Sequence, residues 1–118
     1  MPKDNLIQDK SFQFSLDIIR LYKNLKANKE YDIAKQILRS GTSIGANVEE
    51  AIGAQSKKDF LSKMNISLKE ARETYYWLRL LQKSDMLSPE YLFLQEDNLN
   101  IINILSSIVK TLKKELNM

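Results

Sequence analysis

The 118-residue chain carries 18 Lys and Arg against 15 Asp and Glu, with 43% hydrophobic residues and neither Cys nor His. This composition is typical of one soluble globular domain, residues 1–118, and excludes a two-domain enzyme and a disulfide scaffold. No apolar run approaches the roughly 20 residues of a membrane span, and the opening MPKDNLIQDK lacks the apolar stretch of a secretion signal. We therefore expect a cytoplasmic protein that does not contact a membrane.

The missing residue types also exclude most active sites. Without His and Cys the chain lacks the commonest general base, the commonest metal ligand and thiolate chemistry, and the Glu-x-x-His pairs of di-iron bundles cannot form. Ser107-x-x-Lys110 matches a serine–lysine nucleophile only in its spacing, and Gly41-x-x-x-Gly45 lacks the Gly-Lys-Ser/Thr ending of a phosphate loop. We predict a protein that is not an enzyme and has no catalytic residues, metal or cofactor.

Four long segments carry apolar residues at helical spacing, and no strand pattern competes with them. The four predicted helices span about residues 11–26, 31–54, 57–84 and 89–116. Ser56, followed by Asp59, and Ser88, followed by Pro89, are the predicted N-caps of the third and fourth helices. Short connections between helices about 40 Å long predict an all-α, antiparallel, up-and-down four-helix bundle.

The apolar faces predict how the helices pack. In the first helix Phe12, Leu16, Ile19 and Tyr22 recur at helical spacing. The second helix keeps one face in phase through two glycines, with the members Ile33, Ile37, Gly41, Ile44, Val48 and Ile52. Since Gly costs about 1 kcal/mol against Ala inside a helix, we expect both glycines to allow close approach of a neighbouring helix. The predicted core stripe of the third helix consists of Phe60, Met64, Leu68, Ala71, Tyr75, Leu78 and Gln82.

The third helix also carries a largely basic stripe along one side. Its members are Lys58, Asn65, Lys69, Arg72, Tyr76, Arg79 and Lys83. Such a ridge is suited to the phosphates of DNA or RNA, and an ordinary solvated helix flank has the same pattern.

Apolar residues beyond the core stripes predict contacts between subunits. On the third helix these are Ile66, Trp77 and Leu80. On the fourth helix, the stripe of Ile101, Ile104, Leu105, Ile108 and Leu112 is widened by Ile102, Val109 and Leu116. The alternative is an over-wide core face with one scattered surface Trp.

A polar stripe on the second helix consists of Arg39, Ser43, Asn47 and Glu50. It predicts a network that binds a partner or registers subunits, with Arg39 and Glu50 as charge partners of neighbouring helices. Ordinary solvated surface remains the alternative.

Residues 36–87 resemble a bacterial family of four-helix bundles encoded in intervening sequences of large-subunit ribosomal RNA genes. The residues that carry the resemblance are Arg39, Ser43, Ile44, Ala46, Asn47, Glu50, Ser56, Asp59, Phe60, Lys69, Glu70, Ala71, Glu73, Trp77 and Leu78. Members are sometimes labelled ribosomal proteins, after gene location, and the resemblance does not imply a place in the ribosome. The family is similar to the accessory variability proteins of diversity-generating retroelements, which are barrel-like homopentamers with a basic surface that engages nucleic acid and a reverse transcriptase. The resemblance implies a ring of five bundles.

Two functions of different classes follow. The first is a homo-oligomeric protein, a pentamer by resemblance, that binds RNA or DNA through phosphates without reading bases. The second is an adaptor whose apolar faces and Arg39 to Glu50 stripe receive another protein. A partner that survives nuclease treatment in a pull-down would favour the adaptor.

Overall fold

Four long helices make up the computed structural model, which describes residues 2–118 and the side chains from residue 6 onward. They are α1 (Pro2–Ala27), α2 (Tyr31–Ile52), α3 (Lys57–Lys83) and α4 (Phe93–Glu115), with a 3₁₀ helix, Pro89–Tyr91, before α4. Each helix packs against its neighbours in sequence, and α1 packs against α4. The predicted all-α four-helix bundle is therefore confirmed, with dimensions of 47 × 22 × 22 Å. Within residues 2–118, none of the helices has the length and apolar character needed to cross a membrane.

The first helix differs from its prediction in both its start and its buried face. It begins at Pro2 rather than near Ser11. Its main buried stripe has steps of four and three and consists of Ile7, Ser11, Phe14, Ile18, Leu21 and Leu25, with Asp17 buried beside it. Phe12, Leu16 and Ile19 lie on the opposite side, with Phe12 63% exposed. Two apolar stripes of the same period therefore run along α1, and the bundle buries the one that extends over most of the helix because it removes more apolar surface from water.

The second helix runs unbroken through both glycines, as predicted. A Cβ atom at Gly41 would lie 2.9 Å from two side-chain carbons of Ile18, and one at Gly45 would lie 3.2 Å from Ser15 Oγ. The absence of these side chains lets α1 and α2 approach closely. The helix ends at Ile52, where the side chain is exposed, so the predicted core stripe is one residue too long.

The two predicted N-caps behave differently. Ser56 Oγ accepts a hydrogen bond from the backbone N–H of Asp59 at 3.1 Å, which confirms this residue as the N-cap of α3. Ser88 makes no such bond, and the chain first forms a 3₁₀ turn in which the N–H of Tyr91 donates to the Ser88 carbonyl. The fourth helix therefore begins at Phe93, later than predicted.

The core lies between all four helices. It includes apolar residues that the sequence analysis had interpreted as exceeding what a single bundle can bury. Ile102 and Val109 are buried within the single chain, and Leu116 packs against the core, so the interpretation of these three as excess is wrong. Gln82 is also outside the core, where its side-chain carbonyl accepts from Gln95 Nε2 at 2.7 Å.

Candidate nucleic-acid and subunit interfaces

The predicted basic stripe lies on the outer surface of the bundle, along the side of α3 that faces α4. All of its charged members are exposed, as is Asn65, and Tyr76 is 48% exposed in their midst. Arg79 is positioned over the ring of Tyr75, with its guanidinium carbon 5.3 Å from the ring centroid. The structure therefore brings all seven predicted residues onto one continuous face.

The fourth helix adds cations to this face that the sequence analysis missed. An open groove of about 580 Å³ between α3 and α4 is lined by Arg72, Lys110, Lys113 and Lys114. Its apolar lining consists of Leu68, Val109 and Met118. The signal was available, because Lys110 and Lys113 are three residues apart and an antiparallel α4 brings its last turns beside the start of α3. We call the combined surface the basic face: Lys58, Lys69, Arg72, Arg79, Lys83, Lys110, Lys113 and Lys114.

The acids that alternate with this stripe on α3 face the other way. Arg39 of α2 donates to Glu70 Oε2 at 3.2 Å through Nη1, and its Nη2 is paired with Glu73 Oε2. Both carboxylates are thus held toward α2 rather than α4. The single positive charge of Arg39 offsets about half of their combined negative charge, and the two pairs hold both carboxylates away from the α4 side of α3.

The predicted interface residues of α2 and α3 also share one surface, on the α2 side of α3. Glu73 Oε2 accepts from Trp77 Nε1 at 2.9 Å as well as pairing with Arg39, and Glu50 pairs with Lys63 at 3.6 Å. Ser43 and Asn47 instead donate to backbone carbonyls of α2 itself. The charged members of the polar stripe therefore join α2 to α3, as predicted, while its two uncharged members bond locally.

Trp77 is less exposed in a single protomer than the sequence suggested. It packs against the core, and its indole meets the ring of Tyr76 edge-on, with centroids 5.3 Å apart. Ile66 and Leu80 beside it are each 39% exposed. We call Ile66, Trp77 and Leu80 the α3 strip. The stripe of Phe12, Leu16 and Ile19 described above is the α1 strip, a second exposed apolar surface that sequence reasoning had assigned to no interface.

The groove between α1 and α4 is acidic. Asp17, which is almost fully buried, accepts from Gln13 Nε2 at 3.2 Å and Arg20 Nη1 at 3.1 Å. Partial burial raises the pKa of the Asp97 carboxyl above its ordinary value of 3.8, the charges of Asp17 and Glu96 raise it further, and Lys10 opposes them. The acids of this groove make it unsuited to phosphates.

Comparisons with known proteins agree with the fold. The family model described as 23S rRNA-intervening sequence protein matches residues 3–112. A similar solved structure is that of a protein with unknown function from the S23 ribosomal protein family of Bacteroides thetaiotaomicron VPI-5482. It is 51% identical, with a TM-score of 0.87, and the match covers 92% of this chain and 98% of that one. A search of curated proteins gives no significant match.

Neither description names an enzymatic activity. The match spans nearly all of the chain and includes the segment on which the resemblance was first based, so that resemblance is confirmed. This chain belongs to the 23S rRNA-intervening sequence protein family.

Proposed function

We propose that this protein is a non-enzymatic, homo-oligomeric bundle that binds nucleic acid through the basic face. The observation that carries the proposal is the convergence of cations from α3 and α4 on one surface, while Glu70 and Glu73 are turned toward Arg39. Exposed Lys and Arg side chains neutralise phosphates without reading bases, so the binding is expected to depend little on sequence.

Binding of this kind has a measurable dependence on salt. If five to eight cations per protomer each neutralise a phosphate, the logarithm of affinity falls with the logarithm of salt at a slope of roughly −4.5 to −7 for duplex DNA. The test is a titration of pooled RNA and DNA fragments at two salt concentrations. The absence of binding at low salt would overturn the proposal.

Charge variants localise the site. Replacing Lys69, Arg72 and Arg79 by Ala is expected to weaken binding while leaving the fold intact, because exposed charges contribute little to stability. The matched control replaces Lys23, Lys26 and Lys35, which are exposed on α1 and α2, and changes the net charge by the same amount. Equal losses in the two triple variants would mean that net charge, rather than the basic face, drives binding.

We further propose that copies of the chain associate through the α3 strip of one protomer and the α1 strip of the next. The two strips are different surfaces, as a closed ring of more than two copies requires. The family resemblance implies that the ring has five copies.

Light scattering tests the ring. Trp77→Glu and Phe12→Glu each place a charge in one of the two strips and are expected to reduce the particle mass, since burying an unpaired charge is costly. Phe93→Glu is the control, because Phe93 is exposed at the start of α4 and belongs to neither strip. A wild-type mass equal to that of one chain, or unchanged masses in both strip variants, would contradict this assembly.

A further inference from the structure

We infer that the basic face is built for single-stranded rather than double-stranded nucleic acid, with Tyr76 as a stacking platform for a base. This inference rests on the proposed nucleic-acid binding and adds the structural class of the ligand. It follows from three features of the same surface: the exposure of Tyr76, the support behind its ring, and the groove next to Arg72.

Tyr76 stands among cations on an open helix surface. It is 48% exposed, and Arg72 and Arg79 lie four residues before and three residues after it on α3. Those steps correspond to about 6 Å and 4.5 Å along the helix axis. Cations one turn to either side of an aromatic ring suit an extended strand, in which one base stacks while neighbouring phosphates meet the two guanidinium groups.

The ring of Tyr76 is held from behind. It meets Trp77 edge-on at an interplanar angle of 65°, and the Trp77 indole is fixed by its hydrogen bond to Glu73. A partly exposed ring whose position is set by a second ring loses little conformational freedom when a base stacks on it. The Tyr76 ring is thus more than a solvated surface aromatic.

The groove between α3 and α4 offers a second place for a base. This open groove combines the cations Arg72, Lys110 and Lys113 with an apolar lining that includes Met118. A duplex keeps its base faces stacked inside and presents phosphates, sugars and base edges, so none of its bases is free to stack on Tyr76 or on the apolar lining. A single strand of the same length can use both in addition to the cations.

The test compares one single-stranded oligonucleotide and its duplex at the same low salt, with wild type, Tyr76→Leu and Tyr76→Phe. We expect Tyr76→Leu to weaken single-strand binding roughly five- to hundredfold, duplex binding to stay within about twofold, and Tyr76→Phe to restore single-strand affinity. Circular dichroism melting establishes that the variants are folded. Equal effects of Tyr76→Leu on both probes, or no effect on the single strand, would overturn the inference.

A second readout uses the single Trp of the chain. Because Trp77 is in contact with Tyr76, a base stacked there is expected to change Trp77 fluorescence on addition of the single strand but not of the duplex. Single-strand binding without that change would overturn the inference and leave the proposed function standing. If wild type binds neither probe at low salt, both fail together.

Discussion

The carboxylate of Glu73 accepts a hydrogen bond from the indole N–H of Trp77 at 2.9 Å, one turn further along α3, and the same oxygen is paired with Arg39 of α2. One carboxylate thus fixes the indole of the α3 strip and joins two helices. It also removes an acid from the neighbourhood of the basic face. The two proposed surfaces of the protein, apolar and basic, are therefore linked through this side chain.

Removing the Glu73 carboxylate should disturb both of its partners. We expect Glu73→Ala to lower the free energy of unfolding by about 1 kcal/mol, because the groups are only partly shielded from water, and to shift Trp77 emission to longer wavelength. Glu70→Ala removes only the second Arg39 contact and is the control. Chemical denaturation followed by fluorescence measures both effects, and identical emission spectra of the two variants would contradict the assignment.

The close contact of α1 with α2 predicts opposite outcomes for two glycines. In Gly41→Ala the new Cβ would lie 2.9 Å from Ile18 carbons, so we expect a loss of about 1–3 kcal/mol of stability despite the better helix propensity of Ala. In Gly53→Ala the nearest atom is 3.8 Å away and φ is −90°, so we expect a change between zero and a gain of about 1 kcal/mol. Thermal melts of the pair check this, and equal melting temperatures would refute the tight contact.

The two serines that precede α3 and α4 give a matched test of capping. Ser56→Ala should cost about 1 kcal/mol, since the Asp59 N–H loses its acceptor at the helix start. Ser88→Ala should cost much less, because its hydroxyl makes no capping bond and reaches only Asn24 Oδ1 at 3.5 Å. Urea unfolding of both variants measures the difference. A larger loss for Ser88→Ala would mean that α4, rather than α3, is capped by its serine.

The raised pKa of Asp97 predicts the sign of a pH effect. The pKa of Asp97 in the folded protein lies above its ordinary value of 3.8, so the ionised carboxylate disfavours the folded state. Stability is therefore lost as the pH rises from about 3.8 through the pKa of the folded protein. Asp97→Asn removes this penalty, so we expect it to raise the free energy of unfolding at pH 7 by less than about 1 kcal/mol, with a matching rise in melting temperature. At pH 3 we expect no gain. Asp9→Asn, at an exposed acid of α1, is the control. A larger gain at pH 3 than at pH 7 would reverse the assignment.

The sequence predicts the fold where local signals agree with packing. The unbroken α2, the two glycine contacts and the Ser56 cap were all readable, because phase, propensity and capping chemistry indicate the same helix. In α1 two apolar stripes have the same periodicity, one containing Ile18 and the other Ile19. Which of the two is buried depends on the positions of α2 and α4. The prediction of Ser88 as the N-cap of α4 was wrong for a related reason, because the local sequence Ser-Pro-Glu is compatible with a 3₁₀ turn as well as with the start of an α-helix.

Only the part of the candidate site that lies on α3 was predicted from the sequence. A stripe on α3 follows from spacing along a single segment, whereas the contribution of Lys110, Lys113 and Lys114 depends on how α4 lies beside it. The direction in which Glu70 and Glu73 point could not be predicted either, because it is set by Arg39 on another helix. Residues that act through contacts between helices become visible only in the structure.

The central claim is that α3 and α4 present one face to phosphates, and the salt dependence of binding tests it most directly. The measurement is the slope of log affinity against log salt for wild type and three triple Ala variants, at 69/72/79, at 110/113/114 and, as a control, at 23/26/35. We expect the first two variants each to reduce the steepness of the slope by about 2–3 and the control to leave it unchanged. Slopes that are the same in all four proteins would contradict it.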